Sequence, residues 1–198
     1  MTIAALRRSG YVLAALAAIA VTFTVVAFAL PSHPPGRAFP PLHPAAPPGG
    51  WRRAALPNGT AVLSYPPSLR PISGDKVAVS AARLGPRGAF QLYLNATPRQ
   101  GREQLAHWAA FRLHLLRSDT AASARQVASA QGVKFRGGTG SCVIDRYVTR
   151  IGGHHFQEIA CLVVGRTSAG VIVAAAPAAA WTQARPLLLR AVAAYLIR

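Results

Sequence analysis

The 198-residue sequence predicts an α+β domain with a mostly antiparallel sheet packed by helices, preceded by one N-terminal transmembrane helix. Three observations lead to this prediction. Residues 11–30 are almost wholly apolar. Residues 51–198 contain several short segments in which apolar and polar side chains alternate, as in half-buried strands. Residues 101–118 and 181–198 instead have the three-to-four-residue apolar spacing of helices that pack on a core.

The apolar N-terminal segment is long enough to cross a membrane. Twenty helical residues at about 1.5 Å each span a hydrocarbon core of ~30 Å, whereas a cleaved signal peptide needs only about 7–15 apolar residues. Arg7 and Arg8 precede the segment and predict that residues 1–10 stay in the cytoplasm. We therefore expect a single-pass signal anchor with the C-terminal domain outside the cytoplasm. The alternative is a secreted protein, cleaved near Ala29 in an Ala-Phe-Ala pattern.

A proline-rich linker follows the anchor. Residues 31–50 hold eight prolines, and proline fixes φ and donates no backbone hydrogen bond. The segment is therefore predicted to be extended, with a reach of at most ~60 Å at about 3.1 Å per residue. It separates the membrane from the exported domain, which is predicted to comprise residues 51–198.

The first part of the exported domain is predicted to form strands. Residues 51–56 and 60–65 flank a Pro-Asn-Gly turn sequence at residues 57–59, which indicates a hairpin. Residues 76–84 and 90–95 alternate apolar with polar side chains and predict two further strands.

The predicted helix over residues 101–118 follows these strands. The side chains on its apolar face are Leu105, Trp108, Phe111 or Arg112, Leu115 and Leu116. Residues 125–135 then predict a weak strand pair that turns at Gln131-Gly132.

The last part of the chain combines strands with a closing helix. Residues 140–149 and 154–165 flank Gly152-Gly153 and predict a hairpin, and residues 171–176 predict another strand. Residues 181–198 are predicted to be helical. The side chains expected to face the core from this helix are Leu188, Val192, Tyr195 and Leu196.

The two cysteines, Cys142 and Cys161, are predicted to form a disulfide, because an exported domain folds in an oxidising space. One register of the last hairpin places them directly opposite each other and leaves residues 150–153 as a four-residue loop. The other register makes Gly152-Gly153 a two-residue turn and leaves the cysteines diagonal, where they are harder to bridge.

The register that pairs the cysteines also places Asp145 opposite Glu158. Opposed carboxylates repel each other, and in so basic a chain we expect nearby arginines to neutralise them. The alternative interpretation is a pair of acid/base groups in a small envelope hydrolase.

The remaining candidate groups do not form a recognisable site. His107 and His114 lie seven residues apart on the predicted helix, and His154-His155 are adjacent in a predicted strand, so neither pair has the spacing of a chelate. We therefore expect no catalytic, cofactor-binding or metal-binding residues, and no enzymatic activity.

The charge of the chain is strongly positive. Twenty-two Lys and Arg residues against five Asp and Glu residues give a net charge of +17. This charge attracts phospholipid headgroups, anionic envelope polymers or nucleic acid. Specific nucleic-acid binding is not expected, because the arginines form no dense tract and do not interleave with aromatic residues. The predicted partners are the membrane, through the N-terminal helix, and an anionic envelope polymer or a protein.

Several local features of residues 51–198 resemble the PsbP-like fold, in particular the LpqN-type exported proteins of actinobacteria. The features are the entry hairpin that ends in Tyr65-Pro66-Pro67-Ser68-Leu69, the strand that ends in Asn95-Ala96-Thr97-Pro98, the helix over Leu105–Leu116, the Tyr147–Gly153–Glu158 hairpin and the Trp181–Ile197 helix. The resemblance implies an α/β/α sandwich around an antiparallel sheet, and a family of mostly non-enzymatic adaptors, accessory subunits and binders.

The chain differs from the LpqN type because no cysteine for lipidation follows the apolar segment, so a peptide anchor replaces the lipid. The function expected from the sequence is a non-catalytic binding or accessory role in the cell envelope. The alternatives are a small envelope hydrolase and a binder of anionic polymers or phospholipid headgroups.

Overall fold

Two antiparallel sheets form the framework of residues 38–198, the part of the chain that the computed structural model describes. The small sheet has the order β1-β2-β10, and the large sheet has the order β3-β4-β5-β9-β8-β7-β6. The strands of the small sheet are β1 (Arg52–Ala55), β2 (Ala61–Tyr65) and β10 (Leu196–Ile197). The strands of the large sheet are β3 (Arg70–Ile72), β4 (Val79–Leu84), β5 (Phe90–Pro98), β6 (Ala121–Phe135), β7 (Gly138–Thr149), β8 (His155–Gly165) and β9 (Ala169–Pro177).

Two helices cover opposite faces of the large sheet. Helix α1 (Trp108–Leu115) packs against β6, β7 and β8, and helix α2 (Trp181–Ala193) packs against β9. Because side chains alternate along a strand, each central strand supplies both cores. In β7, Ile144 belongs to the core under α2 and the small sheet, whereas Val143 belongs to the core under α1. The predicted α+β class, with an antiparallel sheet packed by helices, is confirmed.

The predicted register of the β7–β8 hairpin is confirmed. Cys142 lies directly opposite Cys161 with a Cα–Cα distance of 4.1 Å, and the two residues form a disulfide. Both cysteines are wholly buried in the core on the α2 side of the sheet. The alternative register, with the cysteines diagonal, is therefore wrong.

The predicted strand pair over residues 125–135 has a different form in the structure. Residues 125–135 were expected to turn at Gln131-Gly132, but they belong to the single 15-residue strand β6. The register between β6 and β7 shifts between Ala130 and Val133, and Gly132 has a φ of 69°. The glycine therefore forms a bulge within one strand rather than a turn between two strands.

Helix α1 is also shorter than the predicted residues 101–118. The Glu103 carboxylate accepts a hydrogen bond of 2.8 Å from the Gly101 backbone, and Gln104 is extended. This local hydrogen bond competes with helix formation before Leu105, and a 3-10 turn over Leu105–His107 leads into α1. At the other end, residues 116–120 continue α1 as a single wider turn that leads into β6.

The C-terminus forms a strand where the sequence predicted a helix to the last residue. After α2 the chain turns at Tyr195, and β10 pairs with β2. The Ile197 amide also donates to the Arg136 carbonyl at 3.0 Å. In this extended conformation Ile197 is the buried side chain and Leu196, which the helical pattern placed in the core, is only half-buried.

The described part of the proline-rich segment, residues 38–50, contains no helix or strand. Phe39 and Leu42 nevertheless pack against the core, and the Ala45 amide donates to the Ala193 carbonyl at 3.0 Å. The predicted anchor, residues 11–30, and the predicted cytoplasmic segment, residues 1–10, lie outside the described residues. Within residues 38–198, none of the helices has the length and hydropathy that a membrane crossing requires.

Gly137 gives a test of how β10 is held in place. Its φ is 86°, and a Cβ atom there would overlap the carbonyl oxygen of Ile197. Gly132 also has a positive φ, but an added Cβ there meets nothing within 4 Å. We expect Gly132→Ala to lower the free energy of unfolding by about 1 kcal/mol and Gly137→Ala to lower it by roughly 2–4 kcal/mol, measured by urea denaturation. Equal losses would contradict this role of Gly137.

Candidate functional site

Helix α1 brings an arginine onto the large sheet. The buried indole of Trp108 donates from Nε1 to the Ala160 carbonyl at 3.0 Å, which fixes the start of the helix on β8. Arg112 lies one helical turn later and therefore points to the same side. Its guanidinium forms an ion pair with the Glu158 carboxylate at 2.7 Å. Of the two side chains that the sequence allowed on this face, Arg112 reaches the sheet and Phe111 remains partly exposed beside Trp108.

The Glu158 carboxylate shares this site with a second acid. Asp145 lies directly opposite Glu158, as the sequence predicted, and both side chains are buried on the α1 side of the sheet. The expectation that arginines neutralise both carboxylates holds only for Glu158. Within residues 38–198, neither carboxylate oxygen of Asp145 has a hydrogen-bond partner. Glu158 therefore has the ion pair with Arg112, and Asp145 is buried beside it without a partner among the described residues.

Burial favours the protonated form of Asp145 below about pH 7, because it raises the pKa of this carboxyl group. Burial, and secondly the charge of Glu158, raise the pKa of Asp145 to about 7, although Arg112 and Arg117 partly oppose the shift. Burial, and secondly the Glu158 carboxylate, also raise the pKa of Tyr147 above its usual value. Arg112 itself keeps its charge, because the attraction of Glu158 outweighs burial and raises the pKa of the guanidinium.

An open cleft lies beside this cluster on the same face of the sheet. Helix α1 covers only part of this face of the sheet, and the uncovered part forms a cleft of about 440 Å³. We call it the α1-side cleft. Its lining side chains from the sheet are Ser80, Phe90, Tyr93, Asn95, Thr97, Tyr147, Thr149, Phe156 and Ala175, and the segment before β4 adds Ile72, Ser73, Gly74, Asp75 and Ala78.

The floor and walls of the α1-side cleft follow from the strand register. Ala175 pairs with Tyr93 on one side and with Glu158 on the other, so a small side chain lies between two larger ones. The Tyr147 ring stacks on Phe156 with centroids 5.9 Å apart. On the opposite wall the Asn95 amide donates to the Ser80 hydroxyl at 2.9 Å. The cleft therefore offers aromatic faces together with neutral hydrogen-bonding groups.

The buried carboxylates do not line this cleft. Asp145 and Glu158 are at most 1% exposed, and Tyr147 lies between them and the cleft. His154 and His155 line a neighbouring cleft of about 840 Å³ with Phe90 and Ile151, apart from both carboxylates. In the part of the chain that the structure describes, His154 and His155 are therefore not placed with the two carboxylates, and His107 and His114 are exposed. Within residues 38–198, no three His, Cys, Asp or Glu side chains converge as metal ligands.

The sequence did not single out the cleft residues. Its alternating pattern over residues 90–95 assigned Phe90, Leu92 and Leu94 to the core. Leu92 and Leu94 are buried, but Phe90 is exposed and lines the cleft. Tyr93 and Asn95, on the other face of the same strand, had no feature that separated them from solvated side chains. The only signal in the sequence for this part of the cleft was that Tyr93 and Asn95 lie on one face of a strand.

The raised pKa of Asp145 predicts that the stability of the fold depends on pH. Asp145 has a raised pKa in the folded state, so unfolding between about pH 4 and 7 releases a proton. The free energy of unfolding should then fall as the pH rises through this range, by about 1.4 kcal/mol for each pH unit. Asp145→Asn should abolish this fall and be more stable than the wild type at pH 8, whereas Asp119→Asn, at an exposed carboxylate, should behave as the wild type. Urea denaturation from pH 4.5 to 8 measures this, and a wild-type curve that rises with pH would contradict it.

Comparison with known proteins identifies the fold. No protein-family model and no curated protein matches the chain. Among solved structures, the cyanobacterial PsbP protein of Synechocystis is similar at a TM-score of 0.54 and 11% identity, over 76% of this chain and 94% of that one. A protein of unknown function from Pseudomonas aeruginosa is similar at a TM-score of 0.50 and 11% identity, over 76% and 99% of the two chains.

The LpqN protein of Mycobacterium tuberculosis, which is involved in cell envelope biogenesis, is similar at a TM-score of 0.48 and 11% identity, over 74% of this chain and 90% of that one. Identities this low concern the fold alone. The order of antiparallel strands with one helix on each face agrees with the likeness to the Synechocystis protein. The chain therefore has a PsbP-like fold, as its sequence predicted.

Proposed function

We propose that this protein is a membrane-anchored, exported domain with a non-catalytic binding role in the cell envelope, and that it binds its ligand in the α1-side cleft. The observation that carries the proposal is the cleft itself. It is an open concave surface on a sheet whose other face is covered by α2 and the small sheet. Concave surfaces that combine apolar walls with a few polar groups are the usual form of ligand sites.

The lining of the cleft favours an uncharged ligand. Tyr93, Tyr147 and Phe156 present ring faces, which pack against flat or apolar surfaces. Asn95 and Ser80 supply amide and hydroxyl groups that hydrogen-bond to similar groups. The one charged side chain in the lining is Asp75, although the described chain is strongly basic. A neutral ring compound that carries hydroxyl groups, such as a sugar or a glycoside, matches this chemistry.

The position of the titratable groups supports binding rather than catalysis. A general acid or base must reach the proton that it transfers, directly or through one water. Asp145 and Glu158 are buried behind Tyr147, and the raised pKa of Tyr147 keeps the proton on its hydroxyl. The carboxyl cluster therefore supports the floor of the cleft and holds α1 on the sheet.

The disulfide supports export. Stable disulfides form in oxidising compartments, and the Cys142–Cys161 bond is buried between the two strands that it joins. Export requires a targeting segment, for which residues 11–30 are the candidate in the sequence. On this proposal they remain as a single-pass anchor.

Cell fractionation combined with thiol labelling tests the export part of the proposal. We expect the full chain in the membrane fraction, accessible to protease added outside the cytoplasmic membrane. After denaturation without reductant, labelling should detect no free thiol, and after reduction it should detect two. A cytosolic protein with two free thiols would contradict export.

Ligand binding by the full chain tests the cleft. A panel of neutral sugars and glycosides is screened by thermal shift, and binding is quantified by calorimetry. We expect at least one member of the panel to bind saturably. Tyr93→Ala should weaken its binding by about tenfold, because one stacking partner is lost, and Ala175→Leu should abolish binding by filling the floor. Phe111→Ala, an exposed aromatic residue outside the cleft, is the matched control and should bind as the wild type. Equal losses in Tyr93→Ala and Phe111→Ala, or turnover of the ligand, would contradict the proposal.

A further inference from the structure

Two arginines face each other on the large sheet, on the side opposite the α1-side cleft. Arg125 of β6 lies directly opposite Arg146 of β7. Like charges in directly opposed cross-strand positions destabilise a sheet, because the side chains start only about 5 Å apart. Such a pair therefore calls for a compensating negative charge.

Within residues 38–198, neither arginine of this pair forms an ion pair. Arg146 alternates with Asp145 along β7, so the two side chains point to opposite faces of the sheet. Glu158, opposite Asp145, points to the α1 side as well. The two acids of the β7–β8 hairpin are thus separated from the arginine pair by the sheet.

The Arg146 guanidinium is oriented by a neutral group. Its Nε and Nη2 atoms donate to Oε1 of Gln157 at 3.3 Å and 3.1 Å, and Gln157 is buried. This contact fixes one edge of the guanidinium and leaves Nη1 available. The Arg125 side chain is exposed and, within residues 38–198, forms no hydrogen bond or ion pair. Arg117, by contrast, donates to the backbone carbonyl of Ala124.

The arginine pair lies in a concave surface with further donors. Arg125, Arg146, Ser123 and His155 are among the residues that line a cleft of about 370 Å³. The register explains why these side chains meet, because Val148 pairs with Ser123 on one side and with His155 on the other. Val148 is two residues from Arg146 and shares its face. We call these four side chains the arginine-pair cleft.

We propose that the arginine-pair cleft binds a phosphate-type oxyanion. Two guanidinium groups supply paired N–H donors that match the geometry of phosphate oxygens, and the Ser123 hydroxyl adds another donor. A bound anion also removes the repulsion between Arg125 and Arg146. The anion is either a free phosphate or the phosphodiester of a lipid headgroup, which share this chemistry. The site lies on the other face of the sheet from the α1-side cleft and does not depend on the ligand proposed there.

Calorimetry with inorganic phosphate tests the site in the full chain at constant ionic strength. We expect saturable binding to the wild type, weakened at least about tenfold by Arg125→Gln and by Arg146→Gln, since each removes a charged hydrogen-bond donor. Arg190→Gln, an exposed arginine of α2, makes the same charge change away from the cleft and should alter binding less than twofold. Arg125→Lys keeps the charge but loses the paired donors and should fall between the two.

A competition arm distinguishes the two sources of the anion. Vesicles of phosphatidylcholine with phosphatidylglycerol, compared with phosphatidylcholine alone, should displace phosphate if a lipid headgroup is the ligand. Displacement that Arg125→Gln and Arg146→Gln abolish supports the headgroup, and phosphate binding without displacement supports the free anion. The proposal is overturned if neither probe binds saturably, or if Arg190→Gln loses as much affinity as Arg125→Gln, since the effect is then that of net charge alone.

Thermal unfolding gives an independent readout that also shows whether the variants fold. Without phosphate, Arg125→Gln should melt above the wild type, because it removes one of two opposed like charges. Added phosphate should raise the melting temperature of the wild type more than that of Arg125→Gln. A lower melting temperature for Arg125→Gln, with an unchanged phosphate response, would overturn the proposal.

Discussion

The antiparallel register between β7 and β8 is the constraint on which the rest of the structure depends. It places Cys142 opposite Cys161 and Asp145 opposite Glu158. Because successive side chains point to opposite faces, the disulfide enters the core under α2 while the carboxylates enter the core under α1. A slip by one residue would exchange the two sets, leaving the acids beneath α2 without Arg112. The covalent bond therefore also fixes the position of the charged groups.

The length of α1 decides which part of the sheet is open. Trp108 and Arg112 hold the helix on β8 through a hydrogen bond and an ion pair, respectively. The helix ends after eight residues, and the part of this face that it does not cover forms the α1-side cleft. The short helix thus keeps the side chains of the cleft accessible, and the ion pair keeps the helix in place.

The charge distribution of the domain separates its two clefts. The buried Asp145 carboxyl group is protonated at mildly acidic pH. Loss of this proton at higher pH leaves a buried charge and lowers the stability of the fold. The same alternation puts Arg146 on the opposite face, away from these acids. The α1-side cleft is therefore almost uncharged, whereas the arginine-pair cleft has an excess of positive charge. Basic side chains line the arginine-pair cleft, whereas no Lys or Arg lines the α1-side cleft.

The sequence alone determined the elements that depend on neighbouring residues, including the hairpin at Gly152-Gly153 and the cysteine pairing, because strand alternation and turn residues act locally. The tertiary structure decided the contacts between distant segments. Arg112 and Glu158 are 46 residues apart, and no periodicity relates them. The end of the chain forms β10 rather than the end of a helix, because Leu196 and Ile197 pair with β2. Tertiary packing decides such contacts, because its free energy outweighs the small differences in local helix propensity.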